Sequence, residues 1–143
     1  MFSNEKYLNE CKKIINKILK LYLERNNIFF DNLSELERQV ICNYSFGIIN
    51  GINMVNYNLS PEQVAFSIKK ILTTIFAYSD DQSDSFTEKM ISDILSKNYN
   101  NTTNVIIHRG LESYLNNKYN ESLHVQDLEK IIENIGNNFN NNV

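Results

Sequence analysis

Apolar residues recur along this chain at steps of three and four, with polar residues between them, a spacing that lays one apolar stripe on each of several helices. Over roughly residues 4–25, Leu8, Cys11, Ile15, Ile18 and Tyr22 form the first stripe, widened by Ile14 and Leu21. Asn26-Asn27 closes that helix, and the apolar connector Ile28-Phe29-Phe30 is expected to tuck onto the core. A second helix opens at Ser34, three residues before Glu37, the spacing at which a hydroxyl and a carboxylate cap reciprocally. Leu36, Val40, Tyr44, Ile48, Ile52 and Val55 mark its inner face as far as Asn56. The third helix has the clearest start: Ser60 caps, Pro61 takes the first helical position and Gln63 completes the box. Val64, Ile68, Ile71, Leu72, Ile75 and Phe76 follow on a broad apolar face, which predicts a central helix.

The fourth helix begins at Ser79-Asp80-Asp81-Gln82, where acids suit the positive end of the helix, and its stripe is Phe86, Met90, Ile94 and Leu95 as far as Asn98. After a loop at 98–101, Thr102 or Thr103 caps a fifth helix carrying Val105, Ile106, Ile107, Leu111, Tyr114 and Leu115, broken at 116–120. A sixth, over 122–135, turns Val125, Leu128, Ile131, Ile132 and Ile135 inward, and Gly136 reads as its stop. One proline and four glycines are too few reversing residues for a many-stranded sheet. The predicted fold is therefore all-α: a compact single-domain bundle of about six amphipathic helices over residues 1–136, with 137–143 an Asn-rich disordered tail. A chain of 143 residues is long enough to bury a core without disulfides or metal. Gly47 and Gly51 lie four apart on the second helix, where each costs about 1 kcal/mol relative to alanine. Close approach of another helix, or contact with a partner, would compensate.

Charge narrows the partners. The net charge of -3 is unevenly spread: Lys6, Lys12, Lys13, Lys17, Lys20 and Arg25 outnumber Glu5, Glu10 and Glu24 at the start, leaving the rest strongly acidic. An acidic body argues against nucleic acid, whose affinity comes from basic side chains, and suits a basic protein surface. Asp80, Asp81, Asp84 and Glu88 make the densest acidic cluster, with Glu35 and Glu37 a second; both serve helix capping or a docking patch. The spacing of the first cluster departs from a calcium loop. The start Met1-Phe2-Ser3-Asn4-Glu5-Lys6 lacks the apolar run of a signal peptide, and the apolar stretch Ile71 to Tyr78 is too short to span a bilayer. A cytoplasmic protein with no membrane span is expected.

Catalytic patterns are missing from the sequence. Cys11 and Cys42 match no zinc or redox spacing and sit among apolar neighbours, as buried thiols in a reducing compartment do. His108 and His124 stand in different helices without a nearby Cys or His, and no phosphate loop, nucleophile elbow or zincin motif occurs. No catalytic residue, metal or cofactor is expected. In His108-Arg109-Gly110, Glu112 is helically placed to pair with either charged residue, and Arg109 is suited to clamping a neighbouring helix end or to reading a partner carboxylate.

Four short blocks bear a resemblance. Phe46-Gly47-Ile48-Ile49-Asn50-Gly51, Leu59-Ser60-Pro61-Glu62-Gln63-Val64, Phe76-Ala77-Tyr78-Ser79 and Ile106-Ile107-His108-Arg109-Gly110-Leu111 are similar to an all-α immunity protein family of bacterial polymorphic toxin and contact-dependent growth inhibition systems. The resemblance spans roughly residues 36–135. It implies a small cytoplasmic protein that binds a cognate toxin C-terminal domain and blocks it. At Gly51 it implies a small but less flexible residue, so this chain departs there. The alternative is a helical regulator or adaptor binding another host protein or DNA.

Overall fold

The structure is a computed structural model and describes residues 4–95 and 101–141. Its helices are α1 (Glu5–Asn26), α2 (Glu35–Ile52), α3 (Pro61–Thr74), α4 (Asp80–Leu95), α5 (Thr102–Asn117) and α6 (Glu121–Asn141). A 3-10 turn, Phe30–Asn32, precedes α2, and a π turn, Asn53–Tyr57, extends it. Among the described residues there is no strand. The fold is all-α, as the apolar periodicity predicts.

Local chemistry sets the ends. Ser34 with Glu37, and Ser60 with Gln63, form complete capping boxes. Ser79 and Gln82 make the same reciprocal pair ahead of α4, at 2.9 and 3.1 Å. Asparagine does the work that glycine does elsewhere: Asn4 and Asn101 cap α1 and α5, while Asn27 and Asn58 take left-handed backbone at helix ends. No glycine of the chain adopts positive φ.

The centre of the bundle is α2. From Val40 to Ile49 every residue is buried, and α2 packs most extensively on α5, with α1, α3 and α6 around it. This corrects the expectation of a central α3, whose Glu62, Lys70 and Thr74 face solvent while one apolar face packs. Between α2 and α5 the backbones touch. A Cβ on Gly47 would stand 2.6 Å from the Leu111 nitrogen and nearer still to the Ile107 carbonyl oxygen; one on Gly110 would collide with the Tyr44 carbonyl. Gly51 lies beneath the Tyr114 ring, 2.8 Å from where its Cβ would be. Two helices this close need glycine on both sides of the crossing.

Other differences from expectation have local causes. Val55 is outward because the π turn adds a residue to its turn and rotates the face. Leu36, Val105 and Leu115 are also exposed, because burial on α2 begins at Val40 and α5 turns Ile106, Ile107, Gly110, Ser113 and Tyr114 inward. Ile28 and Phe30 pack on the core, but Phe29 is 81% exposed, its extended backbone pointing it the other way. Gly136 does not stop α6, which continues to Asn141. The predicted end of the fourth helix near Asn98 and residues 142–143 of the tail lie outside the described residues.

The uneven charge is partly resolved within the fold. The basic α1 packs along α6, where Arg25 pairs with Glu129 at 2.8 Å and Lys17 approaches Glu121 at 3.8 Å. Glu10 accepts from the Tyr57 and Tyr119 hydroxyls, each at 2.5 Å, joining α1 to the π turn and to the α5–α6 turn.

Candidate functional site

The outer face of α4 carries Asp80, Asp81, Asp84 and Glu88, all exposed, so the densest acidic cluster of the sequence is a surface feature. It is not uniformly free. Asp84 pairs with Lys69 of α3 at 2.5 Å, and this contact raises the Lys69 ammonium above its ordinary value.

At the start of α2 the two acids part. Glu37 closes the capping box and accepts from the Tyr22 hydroxyl at 2.8 Å, which ties it to α1. Glu35 faces α4. It accepts from Arg38 at 2.7 Å, Gln39 at 3.2 Å and the Tyr78 hydroxyl at 3.1 Å. Burial works to raise its carboxyl, but these hydrogen bonds outweigh it and hold the group below its ordinary value. Arg38 lies 4.1 Å over the Tyr78 ring and also donates to the Phe76 carbonyl.

Between α2 and α4 lies a groove of about 480 Å³. Glu35 and Asp81, from the two acidic clusters, line it together, with Tyr78, Phe86 and Lys89. The Tyr78 and Phe86 rings meet at 5.6 Å. Asn43 also lines it; the residue is 8% exposed, and its Oδ1 is buried without a hydrogen-bond partner. An amide oxygen left so costs roughly 1–3 kcal/mol. Glu37 does not line this groove, nor do Asp80, Asp84 and Glu88, which surround the outer face of α4. Asn43, Tyr78 and Phe86 were not singled out as site residues from sequence. The available signal was an amide at Asn43 set directly among the apolar Val40, Ile41, Cys42 and Tyr44.

His108, Arg109 and Gly110 have separate fates. His108 is exposed, 4.0 Å from Glu112. Arg109 pairs with Asp127 of α6 rather than with helix-end carbonyls or Glu112, and so fastens α5 to α6. Gly110 belongs to the α2–α5 crossing. A buried pair not foreseen from sequence lies nearby: Ser113 Oγ is 2.7 Å from His124 Nδ1, and His124 Nε2 is 2.6 Å from the Lys118 carbonyl. The carbonyl can only accept, so Nε2 carries the proton and Nδ1 accepts from the serine. Burial lowers the His124 pKa against a weaker opposing effect of the Lys118 carbonyl, favouring the neutral ring. With His124 wholly buried, this pair serves as a lock on the α5–α6 turn.

Both cysteines are buried free thiols. Burial pushes the Cys11 thiol up to about 12 and raises Cys42 well above its ordinary value, which suits packing and not nucleophilic attack. Among the described residues no three His, Cys, Asp or Glu side chains are grouped to hold a metal. No helix among them is long and apolar enough to cross a membrane. A second surface feature is the exposed Phe29, beside an apolar groove of about 570 Å³ lined by Leu19, Leu23, Ile28 and Phe30.

These features define a class: an all-α bundle with an acidic surface on α4 and a groove between α2 and α4. The sequence profile of the Immunity protein 48 family matches residues 7–136, and the chain belongs to that family. No curated protein and no solved structure matches it.

Proposed function

We propose that this protein binds the C-terminal toxin domain of a bacterial polymorphic toxin, such as one delivered by contact-dependent growth inhibition, and neutralises it in the cytoplasm. Membership of the Immunity protein 48 family carries the reading. Inhibition is stoichiometric and uses no chemistry of the chain's own. The acidic α4 face and the groove shared by Glu35 and Asp81 favour a basic toxin surface, since opposite charge steers encounter and rejects wrong partners. The test is co-expression with the cognate toxin C-terminal domain. A stable complex on purification is expected; its absence, with both proteins folded, contradicts the proposal.

A further inference from the structure

Little of the surface of α4 is committed to the bundle. Of the side chains described on it, over 80–92, the buried ones are Ser83, Thr87 and Met90, whereas α3 encloses Val64, Ile68, Ile71 and Leu72. Ser83 Oγ and Thr87 Oγ1 are buried without a hydrogen-bond partner, and each would regain one from water if the helix lifted. Space is left on both flanks. The groove of about 480 Å³ lies between Phe86 and Met90 of α4 and Asn43 of α2, and a second, of about 280 Å³, lies between Ile91 and the side chains of Phe46, Val64 and Ile68. On the outer face Asp80, Asp84 and Glu88 follow one another at steps of four, where like charges repel along a helix. Against these stand the buried Met90, the contact of Phe86 with Tyr78 and the exposed Lys69–Asp84 pair, which water screens. Tyr78 itself is held to α2, bonded to Glu35 and stacked under Arg38, while the Ser79–Gln82 cap lies at the first turn of α4 and can travel with it.

We propose that α4, loosened by its two unpartnered hydroxyls, undocks from the bundle as one unit, pivoting after Tyr78, while α1, α2, α3, α5 and α6 stay folded. The acidic face is then mounted on a movable helix. Openings of this kind are drawn from the parts of a fold with the fewest buried apolar contacts. The inference stands apart from the toxin-binding reading, and the protein alone tests it. Amide hydrogen exchange of the full chain is followed by NMR in increasing urea below the unfolding transition. Amides 86–90 should be at least about tenfold less protected than amides 44–49 of α2, and should respond only weakly to urea, because undocking exposes little surface. Gly110→Ala, which strains the α2–α5 crossing, should lower protection in α2 and leave that of α4 unchanged. Ser83→Ala with Thr87→Val removes the unpartnered hydroxyls and should raise α4 protection about tenfold. Protection of α4 that equals that of α2, or that falls in step with it in urea or in Gly110→Ala, overturns the proposal, since α4 would then open only with the whole fold. Unchanged or lowered α4 protection in the double variant overturns it as well, since the hydroxyls would then not be what loosens the helix.

Discussion

Adding one methyl group at the α2–α5 crossing should destabilise the protein, although alanine is the better helix former. Gly47→Ala gains about 1 kcal/mol from helix propensity. Against this, its Cβ falls 2.6 Å from the Leu111 nitrogen and closer to the Ile107 carbonyl oxygen, both backbone atoms that cannot rotate away. The helices must separate by more than an ångström, and a gap of about 0.5–1 Å already forfeits a quarter to a half of each dispersion contact. Because α2–α5 is the most extensive helix pair, a net loss of roughly 2–4 kcal/mol is expected, beyond the usual cost of overpacking. Gly110→Ala meets the Tyr44 carbonyl and should cost about the same. The double variant should lose less than the sum of the two, since the first methyl has already opened the crossing. Gly51→Ala meets only the Tyr114 side chain and should cost less. Gly136→Ala, with nothing within 4 Å of the new methyl, should stabilise by up to about 1 kcal/mol. Urea unfolding followed by helical dichroism measures all five. Equal stability of Gly47→Ala and Gly136→Ala would refute the reasoning, because propensity alone would then govern both sites.

Stability should decline on mild acidification through His124. The unfolded His124 has its ordinary pKa near 6.5 and burial lowers the folded value, so the unfolded chain takes up the proton first. The folded state is therefore at full advantage above that value and loses it as pH falls from about 6.5 towards the folded pKa; urea midpoints should show this slope and His124→Gln should flatten it. Lys118 occupies φ 49°, ψ -113° in a turn closed by the Asn120 amide on the Asn117 carbonyl at 3.0 Å, backbone that glycine normally supplies. Lys118→Gly should raise stability by about 0.5–1 kcal/mol despite losing the stacking of its ammonium on Tyr114, and a lowered urea midpoint would show that the turn is not strained. Asp84→Lys with Glu88→Lys should leave the fold stable, because an exposed pair such as Lys69–Asp84 contributes little. Stopped-flow association with the toxin domain should slow in this variant and lose salt dependence, over a screening distance of about 8 Å; unchanged rates would remove the α4 face from the interface. Phe29→Ser should change stability by no more than about 0.5 kcal/mol, a larger loss meaning that the ring packs against the core after all.

The helices were legible because their ends are written in local chemistry. Ser34-x-x-Glu37 and Ser60-Pro61-x-Gln63 mark starts within one turn, and the apolar stripes between such signals have one reading. The rank of the helices was harder, because stripe width suggests centrality in α3, whereas α2 is buried nearly all round. The better signal was the lack of any charge between Arg38 and Glu62, since a helix that is apolar on every side is an interior one. Gly47 and Gly110 are each visible in sequence, but their meeting is a fact of tertiary packing that spacing cannot supply. The acidic clusters were equally visible, yet only the fold separates Glu35, turned into the groove with Asp81, from Glu37, which is held by Tyr22. Asn43 shows the limit most clearly. A polar residue on a buried helix reads as tolerated until the structure shows that its amide oxygen has no donor.

The most direct test of the account is protection in cells. A cognate toxin C-terminal domain is expressed from a regulated promoter, with this protein supplied at increasing level in the same cells. The account predicts that growth arrest gives way to normal growth as the protein reaches equal amounts with the toxin. The Gly47→Ala protein should protect in proportion to its folded fraction. Arrest that persists at a large excess of folded wild-type protein, with no complex recoverable from the cells, would contradict it.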